Sequence, residues 1–359
     1  MACEGDSLPT IGSTEFFARI ASAPASANDF PLAGSIELTL RCNLRCRHCY
    51  TRYPGAAEGE MAFARIERIL DRLRDSGVLF LLLTGGEILM RRDFRDIYLS
   101  ARAKGFLVTL FTNGTLVDAP TADLLAAAPP RRIEITVYGH TRETYESVTG
   151  IPGSFDRFRQ GLSLLMERRL PVHLKMMVLR GNAHEFEQVR DWATAQGASF
   201  RYDAVVNPRL DGDMFPAQER LPADRVAELR VANGDERDEW RRLRDATRMP
   251  PHDGLLFRCG AGTRAFHIDP RGQMYPCMMW RTAPYDPLGG ALDGGWQAHV
   301  RDLRGAKMPA DSACLKCADA LNCGICAAVS RLETGVAGKE VDYYCAIARA
   351  CEKLLQIEP

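Results

Sequence analysis

No apolar run in this sequence approaches the ~18–20 residues that a membrane-crossing helix requires. The longest, Val78 to Leu83, is strand-sized. Nor is there an excess of either charge: 46 Lys and Arg balance 46 Asp and Glu. A neutral chain has no overall basic field, which argues against duplex nucleic acid as a principal partner. The N-terminus, Met1 to Ser7, lacks the charged-then-apolar pattern of a signal peptide, so a cytoplasmic location is expected. Lysine is scarce, with six residues against 40 arginines, which reads as codon bias rather than function. Hydrophobic residues at 46% and charged residues at 26% exclude a disordered or fibrous protein. The 359 residues allow one large domain, or a large one with a small one. Cysteine is what the chain has in plenty. Ten of the twelve fall in two groups: Cys42, Cys46 and Cys49, then seven between Cys259 and Cys345. A reducing cytoplasm and a chain this long argue against disulfide staples, so the clustering reads as metal or iron–sulfur ligation.

Residues 1–33, rich in Ala, Ser and Pro, read as a mobile arm with one short helix. From Gly34 a βα alternation begins. Strands are predicted at Ile36–Leu40, Leu79–Thr84, Leu107–Thr112, Arg132–Tyr138, Val172–Leu179 and Ser199–Val206. Helices are predicted at Ala62–Arg74, Phe94–Ala103, Ala122–Ala127, Phe155–Arg168 and Glu185–Ala195. Such crossovers suit parallel strands, so the fold class is α/β, a partial (β/α)6 barrel spanning 34–206. Its last three strands alternate unusually. Glu134, Thr136 and Tyr138 share one face, as do His173, Lys175 and Met177, and then Arg201 and Asp203. A closed barrel fills its lumen with branched apolar side chains. A polar inner face implies an open barrel holding a polar ligand. Arg201 and Asp203 would either meet that ligand or pair with each other. Residues 207–258 read as a helical linker, with helices at Ala223–Val231 and Glu236–Thr247. Residues 259–359 form a small cysteine-rich unit, opened by a hairpin over Ala265–Pro276 with an Asp-Pro-Arg-Gly turn.

Cys42, Cys46 and Cys49 stand as C-x3-C-x2-C in the loop leaving the first strand. Three close thiolates can bind three irons of a cubane and leave the fourth without a protein ligand, open to a chelating molecule. Structural zinc is the alternative, with His48 as fourth ligand, but its place beside Cys49 is poor geometry for one tetrahedral ion. The motif and its position resemble the radical S-adenosylmethionine (radical SAM) superfamily. That resemblance implies a 4Fe–4S cluster whose open iron binds S-adenosylmethionine, and a 5′-deoxyadenosyl radical that abstracts hydrogen from a substrate. It implies that Gly85, Gly86 and Glu87, after the second strand, hold the methionine amino group; the usual following Pro is Ile88 here. Thr112 and Asn113 would lie beside the adenosine, Glu134 and Thr136 at the ribose, and the backbone of Val178 and Leu179 at the adenine. Met177 is read as packing.

The second array runs Cys259, Cys277, then Cys314-x2-Cys317-x5-Cys323-x2-Cys326, then Cys345. Zinc ribbons usually separate their paired cysteines further, and seven cysteines exceed one zinc. The array resembles the SPASM extension of radical SAM enzymes. By that resemblance Cys259, Cys277 and Cys326 serve an auxiliary 4Fe–4S cluster near the barrel, and Cys314, Cys317, Cys323 and Cys345 serve a distal one, three clusters in all. Seven ligands leave one iron open or held by a non-cysteine ligand. Family members commonly have three residues, not two, before the cysteine at position 326. Cys351 is expected in the core, and Cys3 has no assigned role. The family resemblance implies a ribosomally made peptide as substrate and an electron donor such as flavodoxin or ferredoxin. The 41 residues ahead of Cys42 are too few for the winged-helix leader-binding module of many relatives. A separate leader-binding protein or the barrel mouth would then recognise the peptide. Small-molecule chemistry on a tetrapyrrole, alcohol or sugar, a sulfatase-type protein maturase, and a non-catalytic electron carrier are the alternatives. No general acid or base stands out.

Overall fold

The computed structural model describes residues 30–51, 59–231, 254–290, 292–317 and 323–356. Most of the expected arm, Cys3 and the helix expected at Glu236–Thr247 lie outside these residues. The strands are β1 (Ala33–Glu37), β2 (Phe80–Thr84), β3 (Leu107–Thr112), β4 (Arg132–Val137), β5 (Val172–Met177), β6 (Ser199–Asp203), β7 (Ala265–Ile268) and β8 (Met274–Tyr275). The helices are α1 (Phe63–Asp75), α2 (Phe94–Ala103), α3 (Ala119–Ala127), α4 (Arg142–Thr149), α5 (Ser154–Glu167), α6 (Phe186–Ala195), α7 (Ala223–Val231), α8 (Leu292–Gly305), α9 (Ala327–Thr334) and α10 (Asp342–Gln356). One sheet runs in the order β6-β5-β4-β3-β2-β1-β7-β8. Every neighbouring pair is parallel except the β7–β8 hairpin. This is the α/β architecture that the alternation of periods 2 and 3.6 predicts.

The two faces of the sheet differ chemically. In β4, Ile133, Ile135 and Val137 are wholly buried, as are Leu174 and Met176 of β5. They form the face that the helices cover. Helix α1 meets that core with Ile66, Ile69, Leu70 and Leu73, the i, i+3, i+4, i+7 stripe of an amphipathic helix, all wholly buried. Each such side chain stabilises the fold by roughly 1.5–3 kcal/mol. On the opposite face Glu134 is buried, Thr136, His173 and Lys175 are half-buried and Arg201 is exposed, so the sheet wraps around a polar interior.

Helices α4, α8 and α9 go beyond the sequence reading. Helix α4 is only eight residues long; the Thr141 hydroxyl accepts from Thr144 N, and Gly150, at φ 66°, closes its C-terminus. Helix α8 begins with two glycines near its start, and its propensity is poor. Tertiary contact holds it: Trp296 is wholly buried and its indole donates to Gly262 O at 2.8 Å.

The β7–β8 hairpin does not stand apart from the barrel. Its first strand hydrogen-bonds to β1, aligning Gly34 with Phe266 and Ser35 with His267. A Cβ at Gly34 would lie 2.0 Å from the Phe266 ring, so only glycine lets that ring cover the strand. Beside it, the Ser35 hydroxyl meets His267 Nδ1 at 2.8 Å, and Arg281 donates to buried Glu37 at 2.9 Å. Helices α7 and α10 pack together on the other flank. Buried Arg220 donates to Glu333 and to Val206 O (2.8 Å), tying the 207–221 segment to α9. Cys351 is buried in the main core, and Met177 packs against the same core. Among the described residues no helix is long and apolar enough to cross a membrane.

Candidate active site

The loop from Leu38 to Tyr50 leaves the C-terminal end of β1, where parallel α/β sheets place their ligands. Its position is set by the turn after β2. Gly86 N donates to Thr39 O at 2.8 Å and Glu87 N to Arg41 O at 2.9 Å. A Cβ at Gly85 would stand 2.3 Å from Thr39 O, and one at Gly86 2.3 Å from Arg41 O. Gly85 also takes φ +152°. The glycines are therefore what allows this turn to lie flush against the segment entering Cys42. From the other side, Arg45 N donates to Thr149 O at the end of α4 (2.8 Å), and Arg47 pairs with Glu219 at 2.6 Å.

Glu87 is wholly buried. Burial pushes its carboxyl pKa up, against three donors: Thr112 Oγ1 (2.7 Å), Asn113 N (2.7 Å) and Leu89 N (3.1 Å). An ionised carboxylate offers about four acceptor positions, so one remains. The Asn113 amide bridges onward to Asn43 Oδ1 (2.9 Å) and to Cys42 Sγ (3.8 Å). Thr112 and Asn113 thus tie the end of β3 to both the Glu87 turn and the first cysteine.

Burial pushes the Cys42 thiol up to about 11, with Glu87 and Cys49 adding to it. Cys46 is pushed higher still, by burial and then by Cys49 and Cys42. Cys42 and Cys46, raised in this way, become thiolates together only when a cationic group binds them. Among the described residues no three His, Cys, Asp or Glu converge on a single-ion position. A cubane does not ask for that, because each thiolate takes its own iron. His48 is half-buried, its pKa depressed to about 4 by desolvation of the ring and then by the charge of Lys175. Its Nδ1 has no partner among the described residues, and its ring lies 5.3 Å from that of Tyr138. A buried orphan acceptor beside three sulfurs fits a polar nucleoside ligand next to a cluster. Sequence reasoning considered His48 only as a zinc ligand; its place inside the cysteine motif was the available signal.

The inner faces of β4, β5 and β6 align in rows. Glu134, His173 and Ser199 form one; Thr136, Lys175 and Arg201 the next; Met177 and Asp203 the third. Arg201 reaches down to buried Glu134 with two nitrogens. Of the two alternatives for Arg201 and Asp203, the mutual pair does not form: Asp203 Oδ1 instead accepts from Val205 N at 2.9 Å. A guanidinium is long enough to cross two strands, and Glu134 offers it a bidentate partner. Thr136 is half-buried in the same wall. Val178 and Leu179 are buried; Val178 N bonds Asp203 O (2.8 Å) and Leu179 N bonds Asn182 Oδ1 (2.6 Å).

All seven C-terminal cysteines line one cavity of 530 Å³. Electrostatic proximity divides them. Burial and then Cys277 and Cys259 raise the Cys326 thiol. Burial and then Cys345, Cys314 and Cys317 raise Cys323. The groups are Cys259, Cys277, Cys326 and Cys314, Cys317, Cys323, Cys345. Tyr50, beside Cys49, feels both Cys49 and Cys277, and its hydroxyl meets Met278 Sδ at 3.6 Å. The first triad and the second array therefore adjoin across one half-buried tyrosine.

The sequence profile of the Radical SAM superfamily matches residues 36–193. The chain is 28% identical over 262 residues to the antilisterial bacteriocin subtilosin biosynthesis protein AlbA of Bacillus subtilis, covering 71% of this chain and 57% of AlbA. It is 31% identical over 189 residues to the AdoMet-dependent heme synthase of Methanosarcina barkeri, covering 52% of this chain and 54% of that one. The chain thus spans little more than half the length of these two relatives. Among solved structures, Streptococcus suis SuiB bound to precursor peptide SuiA shares the fold, with a TM-score of 0.69 at 16% identity over 92% of this chain and 79% of SuiB.

Proposed function

Because residues 36–193 form a radical SAM domain, we propose that this enzyme modifies a ribosomally made peptide, by crosslinking, cyclising or oxidising it, with a 5′-deoxyadenosyl radical. A 4Fe–4S cluster and S-adenosylmethionine belong to such a domain. When bound, the cluster supplies one electron that splits the sulfonium into methionine and the radical, which then takes one hydrogen atom from the substrate.

The observation that carries the reading is the seat of Cys42, Cys46 and Cys49 against the Gly85–Gly86 turn and Asn113. The three cysteines would hold three iron corners. Asn113 would orient Cys42 and temper its charge. The Gly85–Gly86 backbone and the remaining acceptor position of Glu87 would receive the methionine ammonium. Thr112, Glu134, Thr136, Val178 and Leu179 would frame the nucleoside, with His48 offering its free nitrogen. We assign Cys259, Cys277 and Cys326 to one auxiliary 4Fe–4S cluster and Cys314, Cys317, Cys323 and Cys345 to another. Three clusters then serve the chain, and one auxiliary iron corner has no cysteine. In this scheme residues 34–206 are the barrel, 207–258 a linker and 259–359 the auxiliary unit. A cytoplasmic flavodoxin or ferredoxin would supply electrons, and a separate leader-binding protein or the barrel mouth would present the peptide.

AlbA is named for biosynthesis of a bacteriocin, and SuiB has been crystallised with a precursor peptide, which favours a peptide substrate here. The test is anaerobic incubation of reduced, iron-reconstituted enzyme with S-adenosylmethionine and a short peptide encoded beside its gene. The expected result is 5′-deoxyadenosine together with a peptide lighter by two hydrogens. An unchanged peptide, with turnover of an iron porphyrin precursor instead, would move the assignment to a small molecule. The 31% identity to a heme synthase keeps that second reading in the same experiment.

A further inference from the structure

Lys175 stands in the middle of the inner wall, between Thr136 on β4 and Arg201 on β6. Two cations side by side on neighbouring strands repel. Arg201 escapes the cost through its bidentate bond to Glu134. Lys175 does not. Among the described residues its ammonium has no hydrogen bond or ion pair. The acids that act on it from a distance, Glu134 and Asp203, are already engaged by Arg201 and Val205 N. Its charge also reaches half-buried His48, at the cysteine loop. Burial first, and then Arg201, depress its pKa. A half-buried ammonium without a counterion costs stability. The fold holds one next to its candidate reaction centre, which is where a ligand anion would repay it.

We infer that Lys175 anchors an anion subsite on the inner face of β5, built to receive a carboxylate of the substrate. This rests on the reading of the chain as a radical SAM enzyme acting on a peptide, which carries carboxylates at its C-terminus and on acidic side chains. The methionine carboxylate of S-adenosylmethionine is the other source of the same chemistry. It shares its α-carbon with the ammonium assigned to the turn after β2. That turn lies three strands from β5, roughly 14 Å measured along the sheet at the usual strand spacing. The substrate is therefore the better match. Lys175 is a specificity determinant in this scheme, and no step of the cleavage passes through it.

The test uses acetate as the carboxylate probe, against chloride at equal ionic strength, on the reconstituted enzyme. Wild type is expected to gain about 2 °C or more in apparent Tm at saturating acetate. Lys175→Met should lose that gain, keep or exceed the wild-type Tm in chloride, and bind S-adenosylmethionine within twofold of wild type. Lys175→Arg should retain the acetate response, and Lys175→Gln replaces the methionine variant should that one not fold. An equal acetate response in wild type and Lys175→Met overturns the inference, as does a lower Tm in chloride for both neutral variants. A tenfold loss of S-adenosylmethionine affinity in Lys175→Met would reassign the subsite to the cosubstrate and overturn the substrate assignment. Formation of 5′-deoxyadenosine by the wild type is measured in parallel. Its absence would sink the proposed function, whereas its presence with no acetate effect would sink only the subsite.

Discussion

Substituting Gly86 by alanine should disable the first iron site without unfolding the protein. The added Cβ would stand 2.3 Å from Arg41 O and 2.8 Å from Arg41 C and Leu40 O. All three are backbone atoms, and real Cβ atoms do not come within 3.0 Å of such neighbours. The turn must therefore retreat by the better part of an ångström from the segment entering Cys42. That movement breaks two backbone hydrogen bonds, Gly86 N to Thr39 O and Glu87 N to Arg41 O. At about 1 kcal/mol net for each bond, and about 1–3 kcal/mol for groups left buried and unpaired, the local cost is about 3–5 kcal/mol. Misplacement on this scale costs about 10²-fold in rate when the displaced group positions a reactant. The assay counts iron per chain after reconstitution and follows 5′-deoxyadenosine by chromatography. Gly181→Ala is the control, since its Cβ would meet nothing within 4 Å. Iron content and rate within twofold of wild type for Gly86→Ala would show that this contact does not seat the loop.

Removing the Asn113 amide with Asn113→Ala takes away the donor to Cys42 Sγ and the bond to Asn43; the reduced cluster's EPR spectrum should shift and its iron should be lost faster to a chelator. Glu333→Gln leaves the buried Arg220 guanidinium without its carboxylate, which should cost about 3–5 kcal/mol in urea unfolding. Cys326→Ala and Cys323→Ala should each lose about four irons per chain but from different clusters, with distinguishable EPR signals. Glu37 supplies a pH test. Burial alone would raise its pKa, but the His267 imidazole and the Arg281 charge outweigh it and hold the carboxyl below its usual range. A depressed carboxylate contributes stability that is complete above the unfolded value, 4.5, and is lost as pH falls through the folded one. The Tm gap between wild type and Glu37→Gln should accordingly be flat near neutrality and close below about pH 4.5.

Much of the barrel was legible because its two periods are clean. Ile133, Ile135 and Val137 alternate with Glu134 and Thr136, and α1 carries an uninterrupted apolar stripe, so strand and helix could be told apart from pattern alone. Helix α4 escaped because eight residues hold barely two turns, and its signal lay in caps, Thr141 and Gly150, rather than in a stripe. Helix α8 escaped because Gly294 and Gly295 argue against helix locally, and what overrides them is Trp296, whose contacts are distant in sequence. The candidate site divided in the same way. Cysteine spacing and the Gly-Gly-Glu turn are local and could be read directly. Which carboxylate Arg201 chooses, and that Lys175 is left without one, depend on strand register and side-chain reach, which period 2 does not encode.

The pairing of β7 with β1 has a consequence for the chain as a whole. Without Ala265–Ile268, the first strand would present bare amide and carbonyl groups to solvent along a flat border, an invitation to intermolecular addition. A polypeptide stopped short of that hairpin should therefore precipitate or self-associate even though every barrel strand is intact. The same seam ties the two cysteine-rich regions together by main-chain bonds: β1 leads into the loop of Tyr50, the hairpin leads to Met278, and the two side chains meet at 3.6 Å.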